Sequence, residues 1–138
     1  MNQFWPWIYL IVTNARIQKD DKYLIAQRSL NEKHYPWYWT IVWWKLEAQN
    51  WHNVLEENLK KEILEEVWIH VTEIKFLWNY YINQDNRKCL YITFWCKRLS
   101  WEAQALEDTE NIQRLTLEEL KNFKEPSFLQ NYLSYIAK

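Results

Sequence analysis

Lys61-Glu62-Ile63-Leu64-Glu65-Glu66-Val67-Trp68-Ile69 sets three carboxylates beside an apolar stripe within two helical turns. Leu55, Leu59, Ile63 and Val67 recur every four residues, a period that puts them on one side of a helix. At about 100° per residue, with Leu55 at zero, the four fall near 0, 40, 80 and 120°, while Glu62 and Glu66 fall near −20 and +20°. Both carboxylates therefore border the side that faces the core, and Glu66 intrudes on it. Glu65 follows one turn after Glu62. Like charges at this spacing repel, and burying them without compensation is costly, so the pattern calls for a cation. Oxygen donors with no His or Cys at ligand spacing favour Mg2+ or Mn2+ over Zn2+. Glu56 and Glu57 read as an ordinary solvated face. Asn53 stands ready as N-cap with Glu56 as its capping-box partner, and the helix is expected to stop near Trp68.

Working outward from this helix, Trp7 to Ile17 and Tyr23 to Arg28 read as the strands of a hairpin around the polar turn Gln18 to Lys22. Ser29 to Pro36 reads as a loop, Tyr38 to Val42 as a short strand and Trp43 to Asn53 as an irregular segment. Beyond the helix, Val71 to Ile82 and Cys89 to Leu99 are expected strands, joined by the turn-rich Asn83 to Lys88. The acidic run Glu107-Asp108-Thr109-Glu110 reads as a loop. Thr116 to Phe123 and Ser127 to Ala137 read as short amphipathic helices, the first capped by Thr116 with Glu119 three residues on, the second by Ser127. Strands, helix, strands, helix without repeat or linker predict one α+β domain over residues 1–138.

A chain of 138 residues, 49% hydrophobic and 25% charged, has the make-up of an ordinary globular domain with a real core. Its 17 Lys and Arg against 18 Asp and Glu exclude a binder of extended nucleic acid that works by phosphate neutralisation, but exclude no small anionic ligand. The longest apolar stretch, Phe4 to Val12, is broken by Pro6 and too short to span a bilayer, and no basic leader precedes it. A cytoplasmic protein without membrane contact is expected. The spacing of Cys89 and Cys96 suits neither a Cys-x-x-Cys motif nor a disulfide framework, so both are read as free thiols. His34, His52 and His70 share no spacing with a nucleophile, which disfavours Ser or Cys hydrolase chemistry.

Average usage would give a chain of this length about ten glycines. This one has none, and it has 11 Trp. Trp43, Trp44 and Trp51 fall in the irregular segment before the helix, and Trp68 falls just past its end, where glycine is favoured because φ is positive. Trp37 follows Pro36 and Trp101 follows Ser100, where Pro-Gly and Ser-Gly would be common turn pairs. We read most of these Trp as standing where an ancestral sequence had Gly, through deliberate substitution or through a codon reassigned in the source and read here as Trp. Genuine core aromatics are the alternative, and Trp39 and Trp95, inside apolar strand patterns, are read that way.

With Trp in the place of Gly, the segment from Lys61 to Ile69 resembles the second half of the Nudix box. That box is Gly, five residues, Glu, seven residues, Arg-Glu, an aliphatic, any residue, Glu-Glu, any residue, Gly and an aliphatic. Trp43-Trp44-Lys45-Leu46-Glu47 is similar to the family's Gly-Gly-Lys-Val-Glu opening, and Trp39-Thr40-Ile41-Val42 to its lead-in. The sequence departs in three ways: the intervening loop is longer, Asn53 stands where the first box Glu belongs, and Lys61 replaces Arg, keeping the charge but losing the bidentate fork.

The resemblance implies a Nudix-type α/β/α sandwich with a mixed central sheet and a catalytic helix after a long loop. It implies Mg2+- or Mn2+-dependent hydrolysis of a nucleoside diphosphate linked to another moiety, by attack of water on phosphorus. Glu62, Glu65 and Glu66 are then metal ligands with the backbone carbonyl of Trp44, Glu65 and Glu66 are catalytic, and Lys61 orients the carboxylates. Arg28, Trp39, Glu47 and Glu110 are the expected substrate-binding residues, Arg28 through a phosphate and Trp39 by stacking on a base. The family also implies a homodimer as one expected state. The competing reading is a Nudix-fold nucleotide-binding or regulatory module that does not turn over.

Overall fold

A computed structural model describes residues 8–33, 35–47, 52–84, 86–98, 103–106, 109–127 and 129. Among the described residues, seven strands and two helices run in the order β1 (Leu10–Lys19), β2 (Lys22–Arg28), β3 (Trp39–Thr40), β4 (Val42–Lys45), α1 (Val54–Val67), β5 (Val71–Gln84), β6 (Arg87–Arg98), β7 (Thr109–Thr116) and α2 (Leu117–Lys121). The readings placed on Trp51, Trp101, Glu107, Asp108 and most of Ser127 to Ala137 lie outside the described residues.

β1 is the hub of the sheet. It runs parallel to β6 from Leu10↔Cys89 to Gln18↔Lys97, and antiparallel to both β2 and β4. Its pairing with β2 is confined to Gln18↔Tyr23 and Lys19↔Lys22, around a turn in which Asp20 takes a left-handed φ of 55°. Asp tolerates that region because its short side chain bonds locally. Nearer its start, β1 pairs with β4 instead, through Val12 to Ala15. β2 therefore peels away to pair with β7 on one side and β3 on the other.

Alternation along the strands sorts the core into two layers. Ala15, Ile17, Leu24, Ala26, Phe94 and Cys96 pack with Leu59, Ile63 and Val67 of α1. Ile25, between Leu24 and Ala26, points the other way and packs with Trp39, Leu120 of α2 and Leu129. A mixed sheet between two helical layers is the α/β/α sandwich expected from the sequence.

Three local readings are corrected. Val42–Lys45 is a strand rather than part of an irregular loop, because Val42 and Trp44 bury against α1 while pairing with β1. Thr109–Thr116 is a strand too; it carries only Ile112 and Leu115 as large apolar residues, too few to give a clear period of two. At the start of α1, Asn53 is left-handed (φ 50°, ψ 39°) and its side chain makes no capping bond, so the expected capping box is absent. The box at Thr116 is complete. Its hydroxyl accepts from Glu119 N–H at 3.2 Å, and the Glu119 carboxylate accepts from Thr116 N–H at 3.0 Å. These bonds hold the Glu119 carboxyl below its ordinary pKa. As expected, α1 ends at Val67, with Trp68 left-handed (φ 58°, ψ 43°) and its N–H donating to Leu64 O.

Both cysteines are free and buried. Desolvation pushes the Cys96 thiol from 9.0 up to about 12. Above pH 9 the unfolded chain loses this proton while the folded chain keeps it, so stability is retained below pH 9 and falls as pH rises toward 12. Each pH unit in that window costs up to about 1.4 kcal/mol. The stability gap between the wild type and Cys96→Ala, measured by urea unfolding, should narrow from pH 9 to pH 11. A constant gap would show that the thiol ionises equally in both states. Among the described residues no helix is long and apolar enough to cross a membrane.

Candidate active site

Where β2 and β4 diverge, a cavity of about 340 Å³ opens. β2 contributes Ala26, Gln27 and Arg28, and β4 contributes Val42 to Lys45. Glu62 and Glu66 of α1 and Glu47, just past β4, complete it together with Glu32 and Thr40. α1 is anchored to these walls at both ends. Asn58, one turn before Glu62, is 6% exposed and donates from Nδ2 to Glu47 O at 3.2 Å, while Leu46 N–H donates to Ile11 O at 2.9 Å. At the far end, Gln104 N–H and Leu106 N–H donate to Val67 O and Glu66 O at 2.9 and 2.8 Å, satisfying carbonyls that the last helical turn leaves open.

Arg28 sits at the end of β2, its side chain 15% exposed. Nη2 lies 3.2 Å from Glu32 Oε2, and the guanidinium stands 4.9 Å over the Trp43 ring. The loop between β2 and β3 is closed at its base, Arg28 N–H donating to Tyr38 O and Trp37 N–H to Arg28 O.

Of the residues expected from the sequence, Arg28, Trp44, Glu47, Glu62 and Glu66 line this one cavity. Glu65 is not among the lining residues. Its carboxylate lies 3.7 Å from Lys61 Nζ, both side chains well exposed. On the helix Glu65 is about 100° round from Glu66, so the expected convergence of three carboxylates becomes two on the cavity and one on the outer surface. Among the described residues, no three acidic, His or Cys side chains gather closely enough to hold a metal ion on their own. Trp39 also lies away from the cavity, 3% exposed with its ring edge-on to Phe123 at 5.8 Å. Glu110 is exposed on β7, where its neighbour Thr109 is the residue that reaches the cavity wall. Sequence reasoning gave no role to Glu32; its place four residues after Arg28 was the available signal.

The donors fit a hard divalent cation of the Mg2+ kind, which binds through one or two carboxylates and takes its other oxygens from water and phosphate rather than from a full protein cage. Glu62 and Glu66, one turn apart and partly buried on one wall, supply that number.

No protein-family model matches the sequence. No curated protein sequence matches it either. Solved structures do. A MutT protein from Methanosarcina mazei superposes with a TM-score of 0.74 at 16% identity, over 94% of each chain. A MutT Nudix hydrolase from Burkholderia pseudomallei gives 0.75 at 16% identity, over 94% of this chain and 98% of its own. The Nudix domain of Shewanella oneidensis NrtR, solved in complex with ADP ribose, gives 0.73 at 11% identity, over 94% and 87%. The mixed sheet between helical layers and the placement of the Glu62–Glu66 turn beside β2 and β4 come together in one assignment: this chain has the fold of the Nudix hydrolases.

Proposed function

We propose that the chain is a pyrophosphohydrolase that cleaves the pyrophosphate bond of a nucleoside diphosphate linked to another moiety, such as an NTP or ADP-ribose, by attack of water on phosphorus. The observation that carries this reading is the sharing of one cavity by Arg28 with Glu62 and Glu66, in a Nudix fold. A diphosphate concentrates negative charge, and Arg28 offers it a planar, permanently charged fork. Glu62 and Glu66 would hold Mg2+ or Mn2+, with Glu47 and the Trp44 carbonyl, from two residues that line the same cavity, to assist. Such an ion, when bound, neutralises phosphate charge and lowers the pKa of water. Lys61 and Glu65, paired outside the cavity, stiffen the turn that presents Glu62 and Glu66.

A nucleotide-binding module without turnover is the second reading. It is favoured by the absence, among the described residues, of a gathered three-carboxylate site and by Asn53 in the place of the first box Glu. Release of phosphate, pyrophosphate or nucleoside monophosphate from a panel of NTPs, ADP-ribose and dinucleotides separates the two. Turnover that needs Mg2+ supports the hydrolase, whereas tight nucleotide binding and a thermal shift without turnover support the module.

The same reading takes Trp43, Trp44 and Trp68 as standing for the glycines of the box. Trp68 and Trp37 in left-handed backbone support it. The intact mass of the natively expressed protein separates its two forms, since each Trp is heavier than Gly by an indolylmethyl group: a mass matching 11 Trp would defeat a reassigned codon and leave true substitution.

A further inference from the structure

We infer that Glu32 is a built-in competitor for the phosphate that Arg28 receives, its carboxylate holding the guanidinium until a substrate anion displaces it. This rests on reading the cavity as a diphosphate site. Glu32 and Arg28 both line that cavity, with Nη2 and Oε2 3.2 Å apart and side chains 29% and 15% exposed. The pair is thus shielded from much of the water and salt that make exposed ion pairs weak. It is also built by its surroundings. Glu32 N–H donates to Ser29 O at 3.2 Å and Asn31 N–H to Ser29 Oγ at 3.2 Å, a turn that folds the loop back so that Glu32 reaches Arg28. The stack on Trp43 fixes the guanidinium plane from another side.

Both two-point edges of the guanidinium include Nη2, the nitrogen that Glu32 holds at 3.2 Å, so a phosphate bound by either edge competes with that carboxylate and is repelled by it. A phosphate arriving at Arg28 therefore gives up whatever the Glu32 contact was worth, and it also meets a wall that already carries Glu47, Glu62 and Glu66. Glu32 weakens substrate and product by the same factor, which keeps the product from lingering on Arg28 and acts mainly through the dissociation rate.

Calorimetric binding of inorganic pyrophosphate in the presence of Mg2+ tests this with wild type, Glu32→Gln, Glu32→Asp, Arg28→Gln and the Glu32→Gln/Arg28→Gln double variant. Glu32→Gln is expected to bind about threefold to fivefold tighter. Glu32→Asp, which keeps the anion, should stay near wild type, and the double variant should bind no better than Arg28→Gln. In steady state, KM and the product-inhibition constant of Glu32→Gln should fall by the same factor as the pyrophosphate Kd. Unchanged or weaker binding by Glu32→Gln, where wild type binds, overturns the competitor role and makes Glu32 a strut for the loop. Wild type that binds no pyrophosphate overturns the diphosphate reading itself, and this inference with it.

Discussion

Glu66→Gln should lower kcat by at least about a hundredfold while the protein stays folded. Gln keeps the shape and the acceptor oxygen of Glu but removes the charge that a hard cation needs. Glu66 lies on the cavity wall one turn from Glu62, so the substitution also removes a like-charge neighbour from the same wall. Stability should then be unchanged or slightly higher, within about 0.5 kcal/mol. A catalytic loss without a stability loss is the signature of a residue kept for chemistry. The same substitution at Glu65 should be far milder, because that carboxylate faces Lys61 at the helix surface rather than the cavity. Near-normal turnover by Glu66→Gln would remove it from the metal site, and equal losses at both positions would restore the three-carboxylate arrangement that the sequence suggested.

What could be read beforehand was whatever a period or a local rule encodes. The four-residue recurrence of Leu55, Leu59, Ile63 and Val67 located α1, and Glu62 and Glu66 beside that stripe located the cavity wall. Thr116 with Glu119 gave a cap whose two hydrogen bonds are local by nature. Long-range pairing is not local, and there the reading failed. β7 has its place because β2 offers its other edge, opposite β1, from Lys22 to Arg28, a demand invisible in the residues 109–116 themselves. Trp39 looked accessible for stacking because its neighbours on β2 and α2 come from distant parts of the chain. Glu65 was misplaced by an error in local geometry: three residues along a helix is close in distance but about 60° away in direction, enough to turn a carboxylate from a cavity to the surface.

Trp68→Gly should raise stability by about 1–2 kcal/mol, the cost of holding an L-residue with a Cβ in the left-handed region. Trp68 has φ 58° and ψ 43° at the helix end, and its side chain is 53% exposed, so little burial is lost with the indole. Trp37, with φ 69° and 40% exposure, should behave alike, and the double variant should be near additive because one lies in the loop between β2 and β3 and the other at the end of α1. For a chain of this size each kcal/mol appears as roughly 3 °C in Tm. The strand positions answer differently. Trp43 and Trp44, in β4, pair with Asn14 and Thr13 of β1 and have no positive φ to relieve. Trp44 is 6% exposed within the α1 core, so Trp44→Gly opens a void and should destabilise by about 3–5 kcal/mol. Part of that is recovered, because its Nε1 is buried without a hydrogen-bond partner among the described residues, a desolvation cost of about 1–3 kcal/mol that leaves with the ring. Stabilisation at 37 and 68 with loss at 44 would mean that this chain has repacked around its indoles in the sheet while still carrying strain at its turns. Loss at all three positions would mean that the surroundings hold Trp37 and Trp68 in place by contacts worth more than the strain, and the glycine-replacement reading would fall at the two positions where backbone geometry speaks for it most directly.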